Sequence, residues 1–99
     1  MKLLALEKEY PGIEAGHFLP HLHTEAARVW ELYQAGVIRE LYFNQEQHTA
    51  VLMLECDDVD AARAVLNTLP LVIEGMIQFE IIPLIPYSGF ARLFMNPLR

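Results

Sequence analysis

The sequence predicts one α+β domain with the element order β-α-β-β-α-β. Three observations support this fold class. The chain has 99 residues, which suits a single domain. Residues 18–35 carry apolar side chains at helical spacing, and strand-like apolar runs stand between clear turn signals such as Tyr10-Pro11-Gly12. Two helices would then cross over between strands of one sheet.

The first half of the chain predicts a strand over residues 2–8 and a helix over residues 18–35. Along that helix, apolar residues recur every three or four positions. They are Leu19, Leu22, Ala26, Val29 and Tyr33. Pro20 suits a first helical turn, where its missing N–H leaves no bond unmade. Gly36 follows the helix and is expected to form a left-handed C-cap.

The second half begins with a predicted hairpin, in which residues 37–43 and 48–56 are strands joined by a polar turn. A second helix is predicted over residues 59–68. We expect the segment Leu69-Pro70-Leu71 to end it, because a residue before proline avoids helical geometry. The last strand is predicted over residues 76–82, closed by Pro83.

Right-handed crossovers predict an antiparallel sheet with strands one and three central, parallel to each other, and strands two and four at the edges. Both helices would cover the same face. One set of apolar strand residues is too large to lie wholly under them, so part of it is expected on the open face. The set is Ile38, Leu52, Leu54, Ile77, Phe79 and Ile81. A second copy of the sheet is the expected cover, giving a homodimer or a higher homo-oligomer.

Composition excludes several classes of partner. The formal net charge is −6 with only seven Lys and Arg, so no cationic cluster is present to bind nucleic acid or an anionic membrane surface. No stretch approaches the roughly 20 apolar residues of a membrane span. The single cysteine, Cys56, cannot form an internal disulfide, and the N-terminal apolar run is too short for a signal peptide. We therefore expect a cytoplasmic protein.

The segment Ala35-Gly36-Val37-Ile38-Arg39-Glu40-Leu41-Tyr42, the segment Leu69-Pro70-Leu71 and the element order together resemble muconolactone isomerase-like proteins. These belong to the dimeric α+β-barrel superfamily, whose domains are ferredoxin-like. The resemblance covers residues 1–83 and implies that two sheets enclose a barrel with a ligand cavity. It also implies activities that range from isomerases to cofactor-free monooxygenases. Residues 84–99 form an aromatic tail, expected to pack on the domain or on the partner subunit.

Arg39 is the first candidate catalytic residue, because a lone guanidinium inside an apolar strand is costly unless it is paired. It would anchor a substrate carboxylate or a developing enolate. The alternative is a structural charge on an edge strand. Glu55 lies on the face of Arg39 in one of the two possible hairpin registers, and the sequence leaves that register open. Glu55 or His21 would act as the base.

The segment from His17 to Glu25 is rich in histidine. His17, His21 and Glu25 follow one another at spacings of four, which is compatible with a metal site; a solvated helix start is the alternative. We predict no metal and no cofactor. The predicted substrate-binding residues are Trp30, Tyr33, Tyr42, His17 and His23, although aromatic residues at helical spacing are also typical of plain core.

Two functions remain open from the sequence. The first is a small enzyme, an isomerase or a cofactor-independent monooxygenase, acting on a small oxygenated organic molecule. The second is a non-catalytic module for small-molecule binding or assembly. They differ in whether polar side chains converge on enclosed space or pair with one another.

Overall fold

The computed structural model of the protein describes residues 1–95 and contains one four-stranded sheet. The strands are β1 (Lys2–Glu9), β2 (Ile38–Phe43), β3 (Ala50–Glu55) and β4 (Ile77–Leu84). Their order in the sheet is β2-β3-β1-β4, and every neighbouring pair is antiparallel. The ferredoxin-like α+β fold class and the central position of the first and third strands are confirmed. The expectation that these two strands run parallel is wrong, because β1 and β3 are direct neighbours and pair antiparallel. The crossovers join β1 to β2 and β3 to β4, and in each case one antiparallel strand lies between the two.

Four helices connect the strands: α1 (Ala15–Phe18), α2 (Leu22–Gln34), α3 (Val59–Leu66) and α4 (Pro70–Ile73). A 3₁₀ turn that contains Pro20 links α1 to α2, so the predicted first helix is one helical segment with an irregular start. The expected end of the second helix before Leu69-Pro70-Leu71 is confirmed, because α3 stops at Leu66 and Leu69, the residue before proline, is extended with φ −72° and ψ 131°. Pro70 also begins α4 as a first-turn residue, since that position needs no N–H donor.

None of the helices within residues 1–95 is both long and apolar enough to cross a membrane.

Two local devices fix the helix ends beside the sheet. Gly36 follows α2 with a φ of 80°, the left-handed conformation expected of a glycine there. Asp58 caps α3 at its N-terminus, where its carboxylate accepts a hydrogen bond of 2.7 Å from the backbone N–H of Ala61. Gly36 therefore marks the end of α2 before β2, and Asp58 marks the start of α3 after β3.

The hydrophobic core lies between the helices and one face of the sheet. Its buried strand residues are Leu3, Ala5, Ile38, Leu52, Leu54, Ile77 and Phe79. Five of the six apolar strand residues that were expected to divide between the two faces therefore lie fully beneath the helices. The sixth, Ile81, also packs against this core. The expectation that part of this set lies on the open face is wrong.

The open face is nevertheless apolar, because the alternate residues of the same strands are apolar too. It carries Leu4, Leu6, Val51, Met53, Ile82 and Leu84, all half-buried. No helix of the described chain covers them. A sheet with apolar side chains on both faces is unusual for an antiparallel sheet that meets water on one side.

The C-terminal segment up to Met95 is largely exposed. A 3₁₀ segment, Gly89–Phe94, follows the last strand, and Tyr87 packs edge-to-face on Phe90 with ring centroids 5.1 Å apart. Ile85 and Phe94 are 85% and 87% exposed. The tail up to Met95 therefore leaves its large apolar side chains unburied by its own domain, and residues 96–99 of the predicted tail lie outside the described part.

Candidate functional site

A groove of about 1160 Å³ opens between the helix-covered face of the sheet and the segment from Ile13 to Tyr33. It exists because α2 packs on the core mainly through its C-terminal half, where Leu32 is its one buried residue. The N-terminal half of α2 stands away from the sheet. Ala50, Leu52 and Phe79 form the floor. The groove is large for a small-molecule site and has ample room for a single ring.

The predicted apolar stripe of the first helix faces this groove. Its members Leu19, Leu22, Ala26, Val29 and Tyr33 all line it. Leu22 and Tyr33 are 45% and 46% exposed. The helical periodicity is thus real, but much of the stripe lines open space, and this is the wall that an apolar ligand would contact.

Glu7 reaches the groove from β1. It is two positions from the buried Ala5 and four from the buried Leu3, so the strand directs its side chain to the same helix-covered face. One carboxylate oxygen accepts a hydrogen bond of 3.3 Å from the backbone N–H of Ala50. Burial raises the pKa of Glu7, and the charges of Glu9 and Glu25 raise it further, against the opposing effects of the Ala50 hydrogen bond and of His48.

Glu25 reaches the same groove from the opposite wall. It lies on α2, where it is one turn from Leu22 and Val29. Its carboxylate accepts a hydrogen bond of 2.9 Å from the backbone N–H of Leu71, which ties α2 to the start of α4. Burial raises the pKa of Glu25, and the Leu71 hydrogen bond partly offsets that rise.

His48 stands at the rim on the side of the β2–β3 turn. Its backbone has a φ of 56°, in the left-handed region, and its N–H donates to the carbonyl of Asn44 at 2.8 Å. The imidazole stacks on Phe43 with ring centroids 4.2 Å apart and planes at 17°. Its charge lowers the pKa of Glu7, so His48 is the basic group of the site.

Three of the five predicted substrate-binding residues line the groove. Trp30 and Tyr33 form a tilted pair at its edge, with ring centroids 6.0 Å apart. Tyr42 is at the β2 side, where its hydroxyl donates to a carboxylate oxygen of Glu40 at 2.9 Å. That carboxylate, through the hydrogen bond and its charge, raises the pKa of Tyr42. The predicted residues His17 and His23 are not part of the lining.

The predicted catalytic residues Arg39 and Glu55 lie outside the groove. Arg39 is an exposed residue at an irregularity of the β2–β3 pairing, between the pairs Ile38–Leu54 and Glu40–Met53. Its Nε donates to the carbonyl of Gly36. Glu55 pairs at 3.0 Å with the amino group of Met1, which lowers the pKa of Glu55 through a hydrogen bond and its charge, with a smaller contribution from Arg39.

The histidine-rich segment does not form a cluster. His17 accepts a hydrogen bond of 3.1 Å from the backbone N–H of Glu14 through Nδ1, as part of the cap of α1. The carbonyl of His21 accepts from the hydroxyl of Thr24 at 3.0 Å, and His21 does not line the groove. Within residues 1–95, no three His, Cys, Asp or Glu side chains are close enough to hold a metal ion.

The site therefore combines two half-buried carboxylates, one imidazole and aromatic walls in a single groove. A carboxylate whose pKa is raised is a better proton acceptor and, when protonated, a usable proton donor. The groove is lined mostly by apolar side chains, which would limit water around a bound molecule. Such an arrangement is suited to moving a proton on a small organic ligand.

Two solved structures have a similar fold. Muconolactone isomerase superposes with a TM-score of 0.73 at 16% sequence identity, over 90% of this chain and 93% of that one. The second is 5-chloro-2-hydroxyhydroquinone dehydrochlorinase (TftG) from Burkholderia phenoliruptrix AC1100, in complex with 2,5-dihydroxybenzoquinone. It superposes with a TM-score of 0.67 at 15% identity, over 90% of this chain and 98% of that one.

No protein-family model and no curated protein sequence matches the chain. At 15–16% identity the likeness to the two structures concerns the fold. The chain thus has the ferredoxin-like α+β fold of muconolactone isomerase, and the resemblance found in the sequence is confirmed at that level.

Proposed function

We propose that the protein is an enzyme that transfers a proton within a small oxygenated organic molecule bound in the groove, as an isomerase does. The observation that carries this proposal is the convergence of Glu7 and Glu25, both with raised pKa, on one large apolar groove beside His48. Both structural neighbours have names that refer to enzymes of small oxygenated compounds. That is consistent with the proposal.

The proposed step is a shift of a proton next to a carbonyl group. A carboxylate oxygen of Glu7 or Glu25 takes the proton from carbon, and the electron pair of the C–H bond moves to give an enolate. Protonated His48 would stabilise the enolate oxygen. Return of the proton to a different carbon completes an isomerisation, with no change of oxidation state. This assigns to Glu7, Glu25 and His48 the roles that the sequence suggested for Glu55, His21 and Arg39.

Exchange of hydrogen for deuterium tests this directly. Cyclic enones and unsaturated lactones would be incubated with the protein in D₂O, and deuterium incorporation followed by mass spectrometry. We expect incorporation by the native protein and a loss of roughly 10²–10⁴-fold, the usual contribution of a general acid or base, in the one of Glu7→Gln and Glu25→Gln that lacks the base, and in the double variant. Glu74→Gln, outside the groove, is the matched control. Undiminished exchange in the double variant Glu7→Gln/Glu25→Gln would refute the assignment.

Cofactor-independent oxygenation is a second candidate, because it also begins with removal of a proton from carbon. Oxygen consumption in the same assay separates it from isomerisation. In that case O₂ would disappear in step with the substrate, whereas an isomerase leaves O₂ unchanged.

We also propose that the protein is a cytoplasmic homodimer, or a higher homo-oligomer, in which the open faces of two sheets meet. The supporting observation is the apolar set on that face, from Leu4 to Leu84, which the described chain leaves uncovered. The exposed tail, with Ile85 and Phe94 most accessible, would pack on the partner subunit. If catalysis fails every test, this assembly surface favours the non-catalytic module.

A further inference from the structure

The charged side chains that line the groove are all acidic. They are Glu7, Glu9 and Glu25, and Gln47 and His48 are the other residues of the lining with strongly polar side chains. Within residues 1–95, no lysine or arginine contributes to this lining. The electrostatic environment of a bound molecule is therefore negative, with His48 as its one group able to carry a positive charge.

The arginines of the surrounding elements are engaged elsewhere. Arg28 bonds to Thr68 at 2.9 Å and pairs with Glu31 at 3.0 Å. Arg63 donates to the carbonyl of Phe79 at 2.8 Å, and Arg39 donates to the carbonyl of Gly36.

The lysines of β1 point away from the groove as well. Side chains alternate between the two faces along β1, and Lys2 and Lys8 are each an odd number of positions from the groove residue Glu7. They therefore lie on the open face of the sheet. With the arginines engaged elsewhere, the fold directs these lysines and arginines away from the groove.

This distribution has a consequence for ligand charge. A ligand carboxylate would enter an apolar environment beside three carboxylates, with His48 as the one cation of the described lining to set against them and no lysine or arginine, which is a costly burial of charge. An ammonium group would be attracted by the carboxylates but would lose its hydration against leucine, valine and phenylalanine walls. An uncharged ring with a carbonyl or hydroxyl group has neither cost and gains from burying apolar surface against these walls.

We infer that the groove selects its ligand by charge, taking an uncharged, largely apolar oxygenated ring compound and rejecting the corresponding carboxylate. This inference rests on the proposed function of the same groove and narrows its substrate class. Glu9, at the exposed end of β1, acts as a specificity-determining residue, because it adds negative charge to the groove without being half-buried as Glu7 and Glu25 are.

Calorimetric titration with one ring skeleton in three charge states tests the inference. The probes are 4-ethylphenol, 4-ethylbenzoate and 4-ethylbenzylamine, at neutral pH and about 0.15 M salt, where charges farther apart than about 8 Å are screened. We expect the phenol to bind at least roughly tenfold more tightly than the benzoate and more tightly than the amine. In Glu9→Lys, the difference between phenol and benzoate should shrink severalfold. Glu74→Lys changes the net charge equally but outside the groove, and should leave the difference unchanged.

The other possible results overturn the inference in different ways. Benzoate binding as tightly as the phenol, or a preference for the amine, would overturn the charge selection while leaving a functional groove. Equal effects of Glu9→Lys and Glu74→Lys would also overturn it, because net charge alone would then explain the preference. Failure of all three probes to bind would count against the proposed function itself, and the inference would fall with it.

Discussion

Glu7 and Glu25 are the residues on which the proposed chemistry depends, and both are placed at a thermodynamic cost. Each keeps one backbone N–H as a hydrogen-bond partner, yet burial still raises the pKa of each. A carboxylate held in this way destabilises the ionised native state. Proteins commonly tolerate such groups at functional sites, where activity is gained in exchange for stability.

The raised pKa of Glu25 predicts a specific dependence of stability on pH. The native state binds this proton more tightly than the unfolded state does, so the contribution of Glu25 to stability is complete below its ordinary pKa of 4.5. It is lost as the pH rises through the raised value. In Glu25→Gln, whose amide oxygen can still accept from Leu71, the free energy of unfolding should be flatter with pH. It should also be higher at neutral pH, by less than about 1 kcal/mol because solvent screens a half-buried group.

Urea denaturation between acidic and neutral pH measures this effect. Glu74→Gln, at an exposed position, is the control and should follow the native protein. A native protein whose stability does not decline over that range relative to Glu25→Gln would contradict the burial of Glu25.

Sequence patterns are sufficient to find part of the groove lining but not its acidic residues. Trp30, Tyr33 and Tyr42 are predicted as ligand contacts and do line the groove. Glu7 is hidden in the charged run Glu7-Lys8-Glu9, although it shares its parity with buried residues of the same strand. Glu25 has the polarity of a solvent-facing helix flank, although it lies one turn from the apolar stripe. In both cases the spacing from apolar residues predicts that the side chain faces the groove, whereas a charged residue type predicts exposure to solvent.

At the scale of the elements, Gly36 connects the end of α2 to β2 in a conformation that other residues adopt at a cost. Because Gly36 has a φ of 80°, which alanine adopts only with strain, Gly36→Ala should lower the free energy of unfolding by about 1 kcal/mol or more. Gly16, in α1, has no such constraint, because its φ is not positive and a Cβ atom added there would meet no heavy atom within 4 Å. Gly16→Ala should therefore be neutral or slightly stabilising.

Thermal or urea denaturation of the two alanine variants distinguishes these expectations. Equal effects of the two substitutions would show that the left-handed turn at Gly36 contributes nothing special to the fold.

The elements themselves are predictable from the sequence, but the pairing between them is less so. Apolar periodicity locates every strand to within about two residues, because it directly reflects burial. When a strand is apolar throughout, its sequence does not show which alternate residues face the helices. For this reason the sequence wrongly places part of the set from Ile38 to Ile81 on the open face. The irregularity at Arg39 shifts the parity of β2 relative to β3. Arg39 lies at this irregularity, exposed and outside the groove, whereas the sequence leaves the hairpin register open.

At the scale of the whole molecule, the described chain leaves two apolar surfaces uncovered, the open sheet face and the tail up to Met95, and these are the proposed contacts with a partner subunit. Met53→Glu would place an unpaired charge at the centre of the proposed interface. We expect sedimentation analysis to show the native protein as a dimer or larger species and this variant shifted towards monomer. The melting temperature of the native protein should rise with protein concentration.

Ala64→Glu, on the exposed side of α3, adds the same charge elsewhere and should leave the assembly intact. A native protein that stays monomeric at every concentration would contradict the proposed use of the open face.

The central claim is that the groove beside Glu7 and Glu25 is the ligand site, and the single tryptophan makes one measurement decisive. Trp30 lines the groove and is 58% exposed, so its emission should respond to a bound ring. Titration with the cyclic enones and lactones of the exchange assay should give a saturable change in Trp30 fluorescence. The same ligands should raise the melting temperature of both the native protein and Trp30→Phe. A rise in melting temperature without any change in Trp30 emission would place the ligand elsewhere and contradict the claim.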